Sequence, residues 1–325
     1  MKLLVTGGAG YIGSIVGRQL LEAGHEVVVF DNLERGHRAA VAPEMRLVVA
    51  DLHDAEVLGE LLSEGFDGVL HFAALALVGE SVAHPERYYR TNVGGTLNLL
   101  EAMRYAGVGR LVFSSTCAVY GQPDQVPIPE TAPPRPANAY GASKLAVDHM
   151  IGDFCTAHGI GAVSLRYFNV AGASGGAGED HDPETHLIPN ILRTALGVNP
   201  AVEIYGTDYP TPDGTAIRDY IHVEDLSDAH LLALEGTRGG EHRIFNLGNG
   251  SGFSVREVIA AAREVTGREI ATTEAPRRPG DPPMLVAASE KVRSELGWAP
   301  RKPELTGMVA DAWAFARAHP RGYSG

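Results

Sequence analysis

Several residue types and patterns are scarce in this 325-residue chain, and each shortage excludes a class of protein. With only two cysteines, Cys117 and Cys155, the chain lacks the disulfide framework of small secreted domains. No apolar run approaches the roughly 20 residues of a membrane-spanning helix, and no signal-peptide pattern precedes the first predicted strand. Positive charge is also scarce, and the net charge of −13 argues against a nucleic-acid or anionic membrane partner. We therefore expect a cytoplasmic protein.

The most informative pattern lies at the start of the chain. Lys2–Thr6 is a short apolar run without polar alternation, which is typical of a strand buried on both faces of a parallel sheet. The spacing predicts a helix over Tyr11–Ala23 and a second apolar strand over Glu26–Phe30, directly followed by Asp31. Between the first strand and the helix lie four closely spaced glycines: Gly7, Gly8, Gly10 and Gly13.

This strand, glycine loop, helix, strand and acid are arranged as in a dinucleotide-binding unit. Glycines allow a close approach of the backbone to a pyrophosphate, and the helix N-terminus offers free N–H groups to it. Asp31 is placed to accept hydrogen bonds from a ribose diol and would repel a 2′-phosphate, which favours NAD over NADP. Arg35 is near Asp31 in sequence, and an arginine there could bind the 2′-phosphate of NADP, so NADP stays an alternative cofactor. The alternative interpretation of the loop is a glycine-rich turn without a ligand.

Further strands and helices alternate along the chain, which predicts an α/β fold with a doubly wound parallel sheet of the Rossmann type. We expect an NAD-binding domain over residues 1–170 and a smaller C-terminal α/β substrate-binding domain over 171–325. Residues 217–248 read as strand, helix and strand, and we expect this segment to return to the first domain.

Tyr140 and Lys144 lie four residues apart on a predicted helix, after a strand that ends in hydroxyl residues including Thr116. A tyrosine pKa of about 10 must fall by about 3 units to make a base near neutral pH, which takes about 4 kcal/mol. One ammonium at about 4 Å supplies about 4 kcal/mol at an effective dielectric of about 20. The pair therefore suits proton transfer at a secondary alcohol beside NAD. A chance pair on an amphipathic helix remains the alternative.

Several longer motifs resemble the extended short-chain dehydrogenase/reductase family, in the branch that inverts carbon 4 of UDP-hexoses. They are TGGAGYIG at 6–13, HFAALALVGESV at 71–82, YGASK at 140–144, YFN at 167–169, GTDYPTPDGTAIRDYIHV at 206–223 and RRPGD at 277–281. The likeness runs from residue 2 to about residue 298. It implies NAD-dependent interconversion of UDP-glucose and UDP-galactose through a 4-keto intermediate.

The resemblance also implies a role for individual residues. Catalysis is expected at Thr116, Tyr140 and Lys144. Cofactor contacts are expected at Gly7, Gly10, Tyr11, Ile12, Gly13, Asp31, Asn32, Asp51, Leu52, Phe72, Ala73, Ala74, Asn92, Tyr140, Lys144 and Phe168. UDP-sugar contacts are expected at Thr116, Tyr140, Asn169, His186, Leu187, Tyr205, Arg218, Arg278 and Asp281. A homodimer through helices near 85–105 and 140–158 is implied as well.

Some alternatives remain open at this point. Mid-helix Asn92 could serve a buried backbone instead of the cofactor. The chain has Ala76 where the family often has lysine, which bears on cofactor retention. It has Leu285 at a position that gates N-acetylated sugars, so epimerisation of UDP-GlcNAc/UDP-GalNAc or of UDP-glucuronate is an alternative. Two other functions also stay open for a chain of this fold: a non-catalytic NAD-binding regulator, and a reductase or dehydrogenase with net redox chemistry. The loop over 179–186 (EDHDPETH) lacks a recognised ligand spacing, so we expect a solvated loop and no metal.

Overall fold

The computed structural model describes residues 1–278 and 280–323. Its strands are β1 (Lys2–Thr6), β2 (Glu26–Asp31), β3 (Arg46–Val49), β4 (Gly68–His71), β5 (Arg110–Thr116), β6 (Gly161–Tyr167), β7 (Asn169–Ala171), β8 (Val202–Tyr205), β9 (Ile217–His222), β10 (His242–Leu247), β11 (Gly252–Ser254), β12 (Thr272–Ala275) and β13 (Met284–Leu285). Its α-helices are α1 (Tyr11–Glu22), α2 (Ala55–Leu62), α3 (Val78–Ala83), α4 (Pro85–Tyr88), α5 (Gly95–Ala106), α6 (Ala139–His158), α7 (Leu187–Ala195), α8 (Val223–Glu235), α9 (Val255–Thr266), α10 (Glu290–Leu296) and α11 (Leu305–Ala318).

A seven-stranded parallel sheet in the order β10-β6-β5-β4-β1-β2-β3 forms the centre of the molecule. Leu3, Leu4 and Val5 of β1 are fully buried, because helices cover both faces of the sheet. α1 and α8 pack on one face, and α2, α5 and α6 pack on the other. The predicted doubly wound α/β fold is confirmed. The strand order reverses beside β1, where such sheets bind ligands.

A smaller α/β region follows the large sheet. β9 pairs with β7, β11 and β13, while β8 and β12 form a separate two-stranded sheet. α7, α9 and α11 share a hydrophobic core with these strands. The segment 217–248 is divided between the two regions: β10 joins the large sheet beside β6 and α8 packs on that sheet, but β9 belongs to the small one. The domain boundary itself stays a prediction.

The structure differs from the predicted elements at several places. The sequence does not predict β7, β11 and β13, because two or three residues are too few for a hydrophobic pattern to emerge, nor β12, because its residues (TTEA) form no apolar run. The predicted continuous helix over 85–105 contains a π-helical turn at Tyr89–Gly94. β4 ends at His71, and residues 72–74 leave the sheet to line a cavity. Among the described residues, no helix is long and apolar enough to cross a membrane.

Candidate active site

A cavity of about 600 Å³ opens at the carboxyl ends of the central strands of the large sheet and extends to the small α/β region. Most of the residues expected at the cofactor line it: Gly7, Gly10, Tyr11, Ile12, Gly13, Asp31, Asn32, Asp51, Leu52, Phe72, Ala73, Ala74, Tyr140, Lys144 and Phe168. So do most of those expected at the substrate: Thr116, Tyr140, Asn169, His186, Leu187, Arg278 and Asp281. Residues far apart in sequence thus meet around one space.

The glycine loop is shaped by close backbone contacts. Gly7 has a φ of +70°, and a side chain there would place its Cβ 2.5 Å from the backbone nitrogen of Ala73. A Cβ on Gly13 would lie 2.3 Å from the carbonyl oxygen of Gly7. α1 begins at Tyr11, so the loop leads directly into the N-terminus of this helix. The loop therefore offers backbone N–H groups at the cavity wall, as pyrophosphate binding requires.

Asp31 has a structural task that the sequence does not predict. Its carboxylate accepts hydrogen bonds from the N–H groups of Ala9, at 2.9 Å, and Leu33, at 2.8 Å. Burial raises the pKa of Asp31, while these two backbone N–H groups lower it. The carboxylate thus holds the glycine loop against the end of β2 and lines the cavity at the same time.

Asn92 is not among the residues that line the cavity. Its side-chain oxygen accepts from the Leu75 N–H at 2.8 Å, and its NH₂ group donates to the Leu75 carbonyl and to the Ser143 hydroxyl. These bonds occupy the amide, so in this structure Asn92 serves a buried backbone, which is the first of the two predicted alternatives. It supports the cavity wall at Leu75 from behind.

The predicted catalytic residues converge from two elements. Thr116 ends β5, and Tyr140 and Lys144 lie one turn apart at the start of α6. The ammonium of Lys144 donates to the Ser114 carbonyl at 2.8 Å and lies over the Phe113 ring, 4.7 Å from its centroid. These two contacts hold the amine of Lys144 in a fixed position at the cavity wall.

The electrostatics of this pair correct the sequence-based expectation. Burial raises the pKa of Tyr140 to about 12, although a hydrogen bond with Thr116 lowers it. Burial lowers the pKa of Lys144 to about 7, although the charge of Asp148 raises it. The pair by itself therefore does not bring Tyr140 to neutral pH, because both side chains lose hydration. Additional positive charge must come from elsewhere.

Two supporting contacts of this centre were not predicted. The Ser114 and Tyr167 hydroxyls are hydrogen-bonded to each other. Asp148 and Arg166 form a buried ion pair with N–O contacts of 2.8 Å and 3.0 Å. Asp148 follows Lys144 by four residues on α6, so helical spacing could have indicated it. Arg166 carried no such signal because it lies on β6.

Of the two predicted arginines, only Arg278 lines the far end of the cavity. The guanidinium of Arg278 stacks over the Tyr205 ring, with 3.9 Å between its central carbon and the ring centroid. Arg218 donates to Asp281 and to the Ile217 carbonyl. Arg278 and Asp281 line the cavity, whereas Tyr205 and Arg218 lie behind them and hold them in place.

The loop over 179–186 is solvated only in part: residues 182, 183, 185 and 186 are exposed, but two carboxylates are buried. Glu179, His181, Glu184 and His186 meet in one cluster, and the side chains of Glu179 and Glu184 are 10% and 1% exposed. The carboxylate of Glu179 raises the pKa of His186, and the two histidines hold the pKa of Glu179 well below its usual range against the effect of burial. The spacing in sequence gave no sign of this cluster because the loop folds back on itself.

Comparison with known proteins assigns the chain to a family. Residues 3–248 match the NAD dependent epimerase/dehydratase family. The chain belongs to this family. Members similar to it include the UDP-glucose 4-epimerase of Streptomyces lividans, 57% identical over 324 residues that cover 99% of this chain and 98% of the relative.

Solved structures of UDP-glucose 4-epimerases agree with this membership. The Brucella ovis enzyme in complex with NAD is 44% identical, covers 96% of this chain and 97% of its own, and superposes with a TM-score of 0.92. The Bifidobacterium longum enzyme in complex with NAD⁺ and UDP is 36% identical, with coverages of 99% and 100% and a TM-score of 0.95. The predicted family and NAD as cofactor are confirmed.

Two departures from the common family pattern lie in the cavity wall. Ala76, where a lysine is often found, lines the cavity, and so does Leu285 of β13 in the small α/β region. Cys117 also lines it, but burial raises the pKa of its thiol to about 12, so the thiol stays protonated as expected for a packed side chain.

Proposed function

We propose that this chain interconverts UDP-glucose and UDP-galactose by an NAD-dependent inversion at C4 of the sugar. The observation that carries the proposal is the convergence of Thr116, Tyr140 and Lys144 on the same cavity as the glycine loop. A cavity of about 600 Å³ lies within the range of small-molecule and cofactor sites. The names of the similar proteins support the same reaction.

The chain's own residues suit the proton chemistry of this reaction. Tyr140 removes the proton from the sugar O4 and returns it later, while the Thr116 hydroxyl holds the same oxygen. Lys144 is fixed by the Ser114 carbonyl and supplies positive charge to the phenolate. NAD, when bound, accepts hydride from C4 and returns it to the opposite face of the 4-keto sugar.

Arg278 at the far end of the cavity suits the diphosphate of a UDP-sugar. A guanidinium presents a planar fork of donors to phosphate oxygens, and Arg278 is held in orientation by the ring of Tyr205. Because the chain carries a net charge of −13, such local positive charge is needed to attract an anionic ligand.

Turnover of UDP-galactose without added NAD tests the proposal. We expect purified enzyme that retains its cofactor to form UDP-glucose without accumulating NADH, because the hydride returns within each turnover. Tyr140→Phe should lower kcat about 100-fold to 10,000-fold. Tyr105→Phe, on a side chain 77% exposed in α5, is the matched control and should leave the rate unchanged.

Stoichiometric NADH formation would contradict the epimerase and support a net redox enzyme. An unchanged rate in Tyr140→Phe would remove Tyr140 from the mechanism. The same assay with UDP-GlcNAc and UDP-glucuronate tests the alternative substrates that Leu285 leaves open, since its side chain lines the substrate end of the cavity.

A homodimer and a cytoplasmic location are part of the proposal. The family resemblance implies pairing through the helices near 85–105 and 140–158. Apolar side chains are exposed in the first of these segments at Tyr89 and Leu97, which supports a covered surface there. Sedimentation of the purified chain tests the dimer, and replacing Leu97 with aspartate should shift it towards monomer.

A further inference from the structure

The loop between β7 and α7 gathers four side chains whose chemistry is that of metal ligands. Each of Glu179, His181, Glu184 and His186 turns one nitrogen or carboxylate oxygen inward, and these atoms all lie within 4.8 Å of one another. Both histidines present Nδ1. Their contacts form a closed ring, in which each histidine meets both carboxylates.

The dimensions of the ring are close to those of a tetrahedral site. Nδ1 of His186 lies 2.7 Å from Oε1 of Glu179 and 3.3 Å from Oε1 of Glu184. Nδ1 of His181 lies 3.3 Å from Oε1 of Glu179 and 3.9 Å from Oε2 of Glu184. Zinc binds nitrogen and oxygen ligands at about 2.0–2.2 Å, so the ligand atoms of a tetrahedral site are about 3.3–3.6 Å apart. The contact between His181 and Glu179 already has this spacing, and the 2.7 Å and 3.9 Å contacts deviate from it in opposite directions.

The hydrogen bonding of Glu184 leaves one oxygen aimed into the ring. Its Oε1 accepts from the backbone N–H groups of Thr185, at 2.7 Å, and His186, at 2.8 Å, which fixes the carboxylate. Its Oε2 is buried, faces Nδ1 of His181, and has no hydrogen-bond partner among the described residues. The side chain is 1% exposed, so water does not readily replace the missing partner. Nδ1 of His181 is likewise unpartnered.

We propose that these four residues bind one divalent transition-metal ion, with zinc as the best match. Two imidazole nitrogens and two carboxylate oxygens favour zinc or a similar borderline ion over magnesium or calcium, which prefer oxygen ligands alone. The ion replaces the protons by which the histidines contact the carboxylates, and the backbone bonds to Glu184 act as the outer support of the site.

The site would fasten the loop that closes the cofactor side of the cavity. Between its ligands, the carbonyl of Asp180 meets Nε2 of His37 at 2.9 Å, and the carbonyl of Asp182 accepts from Arg35. Both partners belong to the segment that follows Asp31. A metal ion that joins residues 179 and 186 would hold these contacts together, so its effect is structural and adjoins the cofactor.

Metal binding to the untagged, NAD-loaded protein tests the proposal directly. After treatment with a chelator, the protein is titrated with Zn²⁺ in competition with a chromogenic chelator, and with Co²⁺ for its visible spectrum. We expect one equivalent to bind, with the spectrum of a tetrahedral cobalt site. His181→Asn and Glu184→Gln should weaken binding at least about 100-fold, since even the loss of an outer support costs about 10-fold to 100-fold.

The matched control is His158→Asn, at the exposed end of α6, which should bind as the wild type does. If either ligand variant fails to fold, the stoichiometry and cobalt spectrum of the wild type decide. Absence of saturable binding or an octahedral cobalt spectrum would overturn the proposal. So would folded His181→Asn and Glu184→Gln variants that bind the metal as tightly as the wild type does. The cluster would then be an ion-pair ring between protonated histidines and carboxylates. Because no UDP-sugar is present, this result is independent of the proposed activity.

Discussion

Loading the protein with oxidised NAD should move the pKa of Tyr140 from about 12 to near neutrality. In the protein alone, burial raises this pKa to about 12. A fall from 12 to 7 corresponds to about 7 kcal/mol of stabilisation of the phenolate, at 1.36 kcal/mol per unit. One positive charge at about 4 Å supplies about 4 kcal/mol, or about 3 units, at an effective dielectric of about 20.

One added positive charge is therefore not enough by itself. The oxidised nicotinamide ring supplies that charge, and the rest must come from Lys144, whose charge is incomplete in the protein alone. Because burial lowers the pKa of Lys144 to about 7, its ammonium is only half populated at neutral pH until a phenolate stabilises it. We expect the loaded wild type to titrate near neutral pH, and loaded Lys144→Met to titrate about 3 units higher.

The titration can be followed by the ultraviolet absorbance of the phenolate. Subtracting the curve of equally loaded Tyr140→Phe removes the contributions of the other tyrosines and of the cofactor. The reasoning fails if Tyr140 still titrates near pH 12 in a loaded enzyme that is active at neutral pH. It also fails in part if Lys144→Met titrates like the wild type, because the lysine charge would then have no effect on the phenolate.

Three further predictions concern stability and cofactor binding. The pKa of Lys144 is 10.5 unfolded and about 7 folded, so the unfolded chain binds more protons between these values. Denaturant unfolding of the cofactor-free protein should therefore show a stability gain of up to about 1.4 kcal/mol per pH unit from pH 7 to pH 10, absent in Lys144→Met. Arg166→Leu should lower the free energy of unfolding by about 3–5 kcal/mol, since it leaves the Asp148 carboxylate buried and unpaired. Gly13→Ala should abolish NAD retention, measured by absorbance of the purified protein, because its Cβ would lie 2.3 Å from a backbone oxygen.

Matched substitutions control for these effects. Arg135→Leu removes an exposed ion pair and should cost less than about 1 kcal/mol; an equal loss at Arg166 would mean that its burial is unimportant. Gly59→Ala lies inside α2, where a Cβ meets no described atom within 4 Å, so it should retain NAD and stabilise the protein slightly. NAD retention by Gly13→Ala would contradict the tight loop geometry.

The sequence by itself determined the features that depend on neighbours along the chain. The strand, glycine loop, helix and Asp31 follow from local periodicity and from steric limits at glycine. Tyr140 and Lys144 meet on one face of α6 because helical geometry brings residues four apart together. The alternation of strands and helices similarly predicts the doubly wound sheet, since parallel strands require such crossovers.

Only the tertiary structure decided what depends on burial and on distant partners. In the folded chain the Asn92 side chain is hydrogen-bonded to the backbone of Leu75, and residues 217–248 are divided between two sheets. The tertiary structure raised the pKa of Tyr140 where the local charge of Lys144 alone predicted a fall, because desolvation is a property of the whole surroundings and not of helical spacing. It also folded the loop over 179–186 into a ring of ligand atoms. Chain order does not record these contacts, since they form only when separate elements pack together.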